Sequence, residues 1–360
     1  MTTIAHRGPR VSRQTAAGLA AQGTQLLGVG GFFILLVIFF TIESSRFFVG
    51  SNAVNILSNA APLAVVTLGQ SLVLISGGFD LSVAGAAPLG GIIYVSACNH
   101  GFSAPEAIAL AVLSGMAIGV ANGLIVTRLG INPLITTLAT VSITQGLAFT
   151  VTNGVTITLN NPNQAGLDNN ALGIPVYVWV MAGMSLVTFV VLRYSVFGRM
   201  LYSMGGNREA ARLAGLRTDL ITVSVYVISG GFAAFAGVIL AEQLLAGAPT
   251  VASTIGLESI TAVILGGAAL TGGSGGIPGS LLGVAVLSAV SNGLALMQVQ
   301  TFYQQIATGV ILLLAVGLGR LRGVVERAVW ARSRAAVASD QQEAVAEPMP
   351  AAVGETPRAP

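Results

Sequence analysis

The 360-residue sequence contains no lysine, one cysteine and two histidines. A single cysteine, Cys98, cannot form a disulfide within the chain, and two histidines are too few to build a metal site with each other. A phosphate-binding loop of the Gly-x-x-x-x-Gly-Lys-Ser/Thr kind is excluded because its lysine must reach the phosphates. We also find no nucleophile, base and orienting acid in a recognisable arrangement. These absences argue against metal, redox and nucleotide chemistry, so we expect this chain to bind no cofactor and to be no enzyme.

Charged residues are scarce as well, at 8%, whereas 54% of residues are hydrophobic and the mean hydropathy is +0.83. A soluble domain has about 25% charged residues, so the composition predicts a membrane protein. About 20 helical residues span the hydrocarbon core of a bilayer. We predict an all-α polytopic fold of about ten spans, at 26–42, 55–76, 82–98, 105–127, 133–152, 174–192, 219–245, 256–271, 279–297 and 301–318. The third, eighth and ninth are short or rich in glycine and could be broken helices, which leaves a count of nine to eleven.

The arginines indicate the orientation, because cationic residues of short loops stay on the cytoplasmic side. With the N-terminus inside, only Arg46 among the arginines near the spans faces outward. This separation predicts an even number of spans and cytoplasmic N- and C-termini. The arginines placed inside are Arg7, Arg10, Arg13, Arg128, Arg193, Arg199, Arg208, Arg212, Arg217, Arg320, Arg322, Arg327, Arg332 and Arg334.

The chain is expected to consist of a membrane domain, 26–318, between two cytoplasmic tails, 1–25 and 319–360. No small-residue cleavage site follows Phe40, so we expect a retained first helix rather than a signal peptide. The second tail loses the apolar pattern and becomes rich in alanine, glutamate, glutamine, arginine and proline, which predicts a largely disordered segment. Trp330 is expected at the membrane interface.

A polar loop at 193–218 holds five of the arginines. Within it, 205–215 predicts a two-turn helix with Asn207 as its N-cap and Gly215 as a left-handed stop. So short a helix is unstable alone, and its small apolar face of alanines and Leu213 predicts docking on another protein. The alternative is a loop that only sets the topology. The predicted contact residues are Gly205, Gly206, Asn207, Arg208, Glu209, Ala210, Ala211, Arg212, Leu213 and Gly215.

A carboxylate lies between the second and third apolar segments, in the sequence Ile75-Ser-Gly-Gly-Phe-Asp80-Leu-Ser82. An ionisable residue there is costly unless it faces water or a partner, which favours a role in a pathway or in gating. The alternative is a helix cap, because Asp80 with Ser82 could accept the unpaired N–H groups of the following helix. One residue could do both.

Three motifs, in this order, resemble the ribose/xylose/galactose type of ABC transporter permease: 75–82, 205–215, and 258–267 with 272–280. The likeness covers about 30–320, and branched-chain amino acid permeases share the general plan. It implies a multi-pass subunit of the bacterial inner membrane, paired with a second permease that is identical or similar. It also implies a solute-binding protein that delivers a sugar or polyol, and a separate ATPase that binds ATP and Mg²⁺ and meets 205–215. No nucleic-acid partner is implied.

Neutral polar residues on the apolar segments suit the path of an uncharged sugar, and interhelical packing bonds are the alternative. Glu242 and Glu258 flank a predicted outer loop and could face solvent, the binding protein or the path. Intramembrane charge is scarce, which disfavours an ion-coupled secondary transporter, while a permease for branched-chain amino acids or nucleosides stays an alternative. The path candidates beside Asp80 and Ser82 are Asn59, Gln70, Asn122, Thr136, Thr137, Thr140, Gln145, Asn292, Gln304 and Gln305.

Internal symmetry is faint. Asn122-Gly-Leu124 lies near the inner end of the fourth segment, and Asn292-Gly-Leu294 lies near the outer end of the ninth. If segments 2–5 and 7–10 are two copies, these positions are equivalent in opposite orientation, as in transporters built from inverted repeats. A chance match is the alternative. The glycine-rich stretch 266–280 is expected to be flexible or tightly packed backbone at the inner mouth.

Overall fold

The computed structural model describes residues 12–300, 302–307, 309–311 and 313–314, with side chains from residue 27 onward. One compact unit extends to Leu312, and a second begins at Leu313. The predicted C-terminal tail, with Trp330 and its arginines, lies outside the described residues. The same is true of the first eleven residues of the predicted N-terminal tail.

The described part of the chain is mostly helical, as predicted. Residues 302–307, 309–311 and 313–314 are also helical and fall within the tenth predicted span. The helices before them are α1 (Ser12–Glu43), α2 (Gly50–Ile75), α3 (Val83–Asn99), α4 (Ala104–Arg128), α5 (Pro133–Thr152), α6 (Val176–Tyr194), α7 (Val196–Gly206), α8 (Arg208–Leu213), α9 (Thr218–Leu244), α10 (Ile255–Leu265) and α11 (Ile277–Leu296).

Six of the described helices are long and apolar enough to cross a membrane: α2, α4, α5, α6, α9 and α11. Three further apolar stretches are shorter, namely Leu27–Glu43 within α1, Val83–Asn99 and Ile255–Leu265. The chain is therefore a multi-pass membrane protein. The eighth predicted span, 256–271, was wrong at its C-terminal end, because α10 ends at Leu265 with Gly266 as its C-cap, and the next residue, Gly267, has φ +101.

Four strands of two residues each, which the sequence did not predict, order the loops that follow α5 and α9. In the loop after α5, β1 (Ile157–Thr158) pairs antiparallel with β4 (Ala246–Gly247) of the loop after α9. In the same loop as β1, β2 (Asn170–Ala171) and β3 (Ile174–Pro175) form a hairpin. Its two-residue turn has positive φ at both positions, as tight hairpin turns require.

Among the six long spans α2 and α9 are the most buried, and together with α3, which is buried along most of its length, they form the centre of the described bundle. Small residues allow the helices to approach closely, which is how membrane helices pack without a hydrophobic driving force. A Cβ atom added to Gly115 of α4 would lie 2.2 Å from Gly230 O of α9, and one added to Gly230 would lie 2.1 Å from Gly115 O. A side chain at either position would clash with backbone, so this close crossing requires glycine at both, and it brings the polar side chains of α4 and α9 within reach of the turn between α2 and α3.

Candidate functional site

The turn between α2 and α3 carries a buried carboxylate. Asp80 is 1% exposed. Its Oδ1 accepts hydrogen bonds from the backbone N–H of Ser82, at 3.0 Å, and from the Ser82 hydroxyl. Its Oδ2 accepts from Ser229 Oγ of α9 at 2.7 Å. Among the described residues no cation pairs with Asp80, so hydroxyl and amide donors alone stabilise this carboxylate.

The hydrogen bonds continue from Ser82 into two further helices. Asn122 Nδ2 of α4 donates to Ser82 Oγ at 2.9 Å, and Thr140 Oγ1 of α5 donates to Asn122 Oδ1 at 2.6 Å. Tyr226 OH of α9 donates to Phe79 O at 2.8 Å. We call Asp80, Ser82, Asn122, Thr140 and Ser229 the Asp80 network. It joins the α2–α3 turn to α4, α5 and α9.

The helix-cap alternative for Asp80 needs correction. The N-cap residue of α3 is Ser82, and its side chain makes no capping hydrogen bond. Asp80 instead accepts the amide of Ser82 itself, before the first turn of the helix. Its second oxygen reaches across to α9. The carboxylate is therefore a tertiary contact between helices as well as a local turn contact.

The other path candidates do not gather around this network. Asn292 of α11 exchanges two side-chain hydrogen bonds with Asn52 of α2, at 2.9 and 3.0 Å. Gln304 accepts from Ser291 Oγ at 3.0 Å. These contacts are interhelical packing bonds, the alternative that the sequence left open for such residues.

The remaining candidates differ in exposure. Gln70 is fully buried in α2, and both of its side-chain polar atoms have no hydrogen-bond partner among the described residues. Thr137 is buried, and within the described part of the chain its hydroxyl bonds only to its own helix, at Pro133 O (2.9 Å) and Leu134 O (3.4 Å). Thr136 is buried, Gln145 is half-buried, and Asn59 and Gln305 are exposed.

Glu242 holds the loop that follows α5, a role that the sequence did not reveal. The side chain is fully buried near the end of α9. Its Oε1 accepts from Tyr94 OH at 2.8 Å, and its Oε2 accepts from the backbone N–H groups of Leu167 and Asp168 at 2.7 and 3.0 Å. The solvent-facing alternative is therefore wrong for Glu242. Glu258 is half-buried and accepts from Thr254 Oγ1 at 2.7 Å.

Substitution of Glu242 tests this anchoring role. Glu242→Ala leaves the N–H groups of Leu167 and Asp168 without their acceptor, whereas Tyr94 OH keeps Gln164 O at 3.0 Å, and a buried unsatisfied donor costs about 1–3 kcal/mol. We expect the loop to open and chymotrypsin to cut faster at Leu167 and Leu172. Glu242→Gln is the matched control, because its amide oxygen can still accept the two backbone N–H groups and its amide nitrogen can donate to the Tyr94 hydroxyl. Equal cleavage rates in Glu242→Ala and the unmodified protein would rule out the anchoring role.

The polar loop at 193–218 folds into two helices, α7 and α8. The predicted N-cap is present, since Asn207 Oδ1 accepts from Ala210 N at 2.9 Å. Gly215 has φ +86, as expected of a left-handed stop. Gly205 and Gly206, however, are the last residues of α7 and do not form a separate frame around α8. α8 therefore follows directly on a longer helix.

The apolar residues of α8 divide between two sides. Ala211 is buried in a cluster with Leu201 and Met204 of α7 and Ile221 of α9. Leu213 is 79% exposed. The helix thus already packs on its own chain through Ala211, while Leu213 faces outward among exposed polar residues. Two exposed ion pairs of 3.2 Å lie beside it, Arg212–Glu209 and Arg208–Asp219.

A groove of about 440 Å³ lies next to α8. Its walls come from the end of α4, from α8 and from the start of α9. Three arginines, one aspartate and several apolar side chains line it, so that basic residues outnumber acidic ones. They include Leu124, Arg128, Arg212, Leu216, Arg217, Asp219 and Leu220. Such a basic, partly apolar concavity suits a protein surface that offers both acidic and apolar groups.

Comparisons with known proteins agree with the motifs. Residues 52–316 match the family model described as "Branched-chain amino acid transport system / permease component". The chain belongs to this permease family. It is 35% identical over 294 residues to the ribose import permease protein RbsC of Escherichia coli K12, covering 79% of this chain and 90% of the relative. No solved structure matches the chain.

Two further relatives show the same relationship. The chain is 35% identical over 293 residues to the ribose import permease protein RbsC of Bacillus subtilis strain 168, covering 81% of this chain and 91% of the relative. It is 36% identical over 303 residues to the L-arabinose ABC transporter permease protein AraH of Azospirillum brasilense, covering 82% and 88%. The resemblance to sugar-type ABC permeases that the motifs predicted is confirmed.

Proposed function

We propose that this protein is the membrane permease of an ABC importer for a monosaccharide or related polyol. The observation that carries the proposal is the similarity, over most of the chain, to permeases named for ribose and L-arabinose. A solute-binding protein delivers the sugar, and a second permease copy, identical or similar, completes the path. ATP and Mg²⁺ bind a separate ATPase subunit, and the complex lies in the bacterial inner membrane.

We propose a topology of ten spans with both termini in the cytoplasm. The arginine distribution supports this orientation, and residues 302–307 and 309–311, which are helical, fall within the tenth predicted span. In this arrangement α7 and α8 lie in the cytoplasm, and the strand-containing loops after α5 and α9 face the binding protein. The shorter α3 and α10 cross only part of the bilayer, which is tolerated where their ends are buried in protein.

An inverted repeat of predicted segments 2–5 and 7–10 is part of the proposal. Such a repeat would make α2, α3 and α4 equivalent to α9, α10 and α11. Each contact between a helix of one copy and a helix of the other should then have an equivalent contact with the copies exchanged. In the fold, α3 and α4 pack on α9 while α10 and α11 pack on α2, and α2 packs on α9. This exchange supports a repeat in which Asn122 and Asn292 are equivalent.

We assign two roles within the chain. The stretch 205–215, with exposed Leu213 and the adjacent basic groove, receives the ATPase. The Asp80 network, with Asp80, Ser82 and Asn122 buried where four elements meet, holds the α2–α3 turn and takes part in gating. A gate requires an element with two discrete arrangements, and in this proposal they are the bonded form of the network, seen here, and a form in which its hydrogen bonds are broken.

Reconstitution tests the proposed function. Proteoliposomes that contain this permease, its ATPase and its binding protein should accumulate labelled ribose or L-arabinose only when ATP is supplied. Uptake without an ATPase or nucleotide would show a secondary transporter instead. Labelled leucine and adenosine serve as competing probes, because ATP-dependent uptake of either one in place of the sugars would favour the amino acid or nucleoside alternative.

A further inference from the structure

Three glycine-rich stretches that are far apart in the sequence meet at one point of the fold. The residues in contact are Gly77 after α2, Gly205 and Gly206 at the end of α7, and Gly272 and Gly273 between α10 and α11. We call this meeting point the glycine junction. It joins the segment next to α8 to the turn that carries Asp80.

No side chain separates the stretches at Gly205. A Cβ atom built there would lie 1.8 Å from Ile75 O and 2.5 Å from Gly273 N. Both distances are far inside the separation of about 3.5–4.0 Å at which non-bonded atoms attract. Both neighbours are backbone atoms of other elements, so neither can move aside by a change of rotamer. Only glycine fits at position 205.

The third stretch closes the junction in the same way. Gly272 and Gly273 have φ of +85 and +75, a conformation that glycine adopts readily. A Cβ atom on Gly272 would lie 2.7 Å from Gly77 Cα, and one on Gly273 would lie 2.8 Å from Gly206 Cα. Gly273 N donates a hydrogen bond to Ile75 O at 2.9 Å. The three backbones are therefore in direct contact.

A second hydrogen bond ties α7 to the same loop. Tyr202 OH, one turn before the end of α7, donates to Gly275 O at 2.8 Å. Burial raises the pKa of the Tyr202 phenol, so the hydroxyl keeps its proton at neutral pH and stays a donor. Tyr202 and Gly205 thus contact the α10–α11 loop from one helix.

The junction lies between the two regions assigned above. Asn207, the N-cap of α8, follows it directly, and Asp80 comes three residues after Gly77. Contacts between side chains can absorb a small shift by rotamer changes, whereas close-packed backbones transmit it. A displacement of α7 and α8 would therefore reach the Asp80 turn through Gly205 with little loss.

We propose that Gly205 is a positioning residue for transport: through the glycine junction it makes the Asp80 turn follow the movement of α7 and α8. This inference rests on the proposed function, in which α8 receives the ATPase. It adds the α10–α11 loop as a third moving part, since Gly272 and Gly273 lie against both other stretches.

The experiment compares Gly205→Ala with Gly183→Ala. Nothing lies within 4 Å of a Cβ atom at Gly183 of α6, so the second variant makes the same change at a helical glycine in open space, outside the junction and outside 205–215. We expect both complexes to retain the ATPase and to hydrolyse ATP. Labelled ribose taken up per ATP hydrolysed should fall about tenfold or more in Gly205→Ala and stay near the unmodified value in Gly183→Ala. Equal ratios in the two variants would overturn the inference.

A second variant keeps the test decisive if Gly205→Ala does not fold. Tyr202→Phe removes only the hydroxyl that bonds Gly275 O, and we expect uptake per ATP to fall about threefold with the ATPase still bound. An unchanged ratio in Tyr202→Phe would then overturn the inference. A different result would contradict the proposed function. If the unmodified permease retained no ATPase, the proposed function would be wrong, whatever the two variants show.

Discussion

Replacing Asp80 with alanine should abolish transport and destabilise the permease. Three donors, the N–H and hydroxyl of Ser82 and the hydroxyl of Ser229, would lose their acceptor in a fully buried site. Each unsatisfied buried donor costs about 1–3 kcal/mol, so we expect the free energy of unfolding to drop by about 3 kcal/mol or more. Thermal unfolding of the purified protein and uptake of labelled ribose measure the two effects.

Asp80→Asn is the matched control for this variant. The amide keeps one acceptor oxygen for Ser82, and its nitrogen can donate to Ser229 Oγ, since a hydroxyl can accept as well as donate. We expect Asp80→Asn to unfold within about 1 kcal/mol of the unmodified protein. Any loss of uptake in this variant then reports the difference between the carboxyl group and the amide, and not the missing hydrogen bonds. An Asp80→Ala variant with unchanged melting temperature and uptake would contradict the role assigned to the Asp80 network.

Leu213→Asp should release the ATPase while leaving the permease folded. The Leu213 side chain is 79% exposed, so substitution removes little packing, and exposed substitutions change stability by only about 0.5 kcal/mol. An apolar side chain at the centre of an interface can contribute about 2 kcal/mol or more to binding. We expect at least about a tenfold weaker association with the ATPase. The amount of ATPase that co-purifies with the permease measures the effect.

A control and a companion variant sharpen this test. Leu172→Asp makes the same change at a leucine that is 92% exposed in the hairpin turn, on the opposite side in the proposed topology. It should leave ATPase association unchanged. Glu209→Arg breaks the exposed ion pair with Arg212, which contributes little to stability, and reverses the charge that α8 presents. Normal association in both Leu213→Asp and Glu209→Arg would rule out docking through α8.

The sequence predicted the membrane helices well where apolar runs are long and uninterrupted. The predicted span 133–152 coincides with α5, and 219–245 is within one residue of α9 at each end. Prediction failed at the glycine-rich eighth span, because glycine is compatible with both a helix and a turn and the choice depends on what packs against it. The short strands that pair the loops after α5 and α9 gave no local signal either, since each has only two residues.

The candidate site was only partly predictable. Asp80, Ser82 and Asn122 were candidates because polar groups on apolar segments are expensive, and they do lie in one network. Ser229, the contact of this network on α9, was missed, because a serine in an apolar segment is common and carries no signal of its own. Glu242 was noticed as an acid near a helix end, but its partners in the loop after α5 were not.

The sequence by itself determined the class of this protein, most of its helices and the capped helix at 208–213, and it predicts the orientation from the arginines. Each of these depends on the length of an apolar run, on charge or on capping within a few residues. The tertiary structure alone decided which groups meet. The Asp80–Ser229 bond joins residues 149 apart, and the glycine junction joins Gly77, Gly205 and Gly272. Such contacts exist only after the helices pack, because a hydrogen bond or a backbone contact depends on distances that no local pattern of residues specifies.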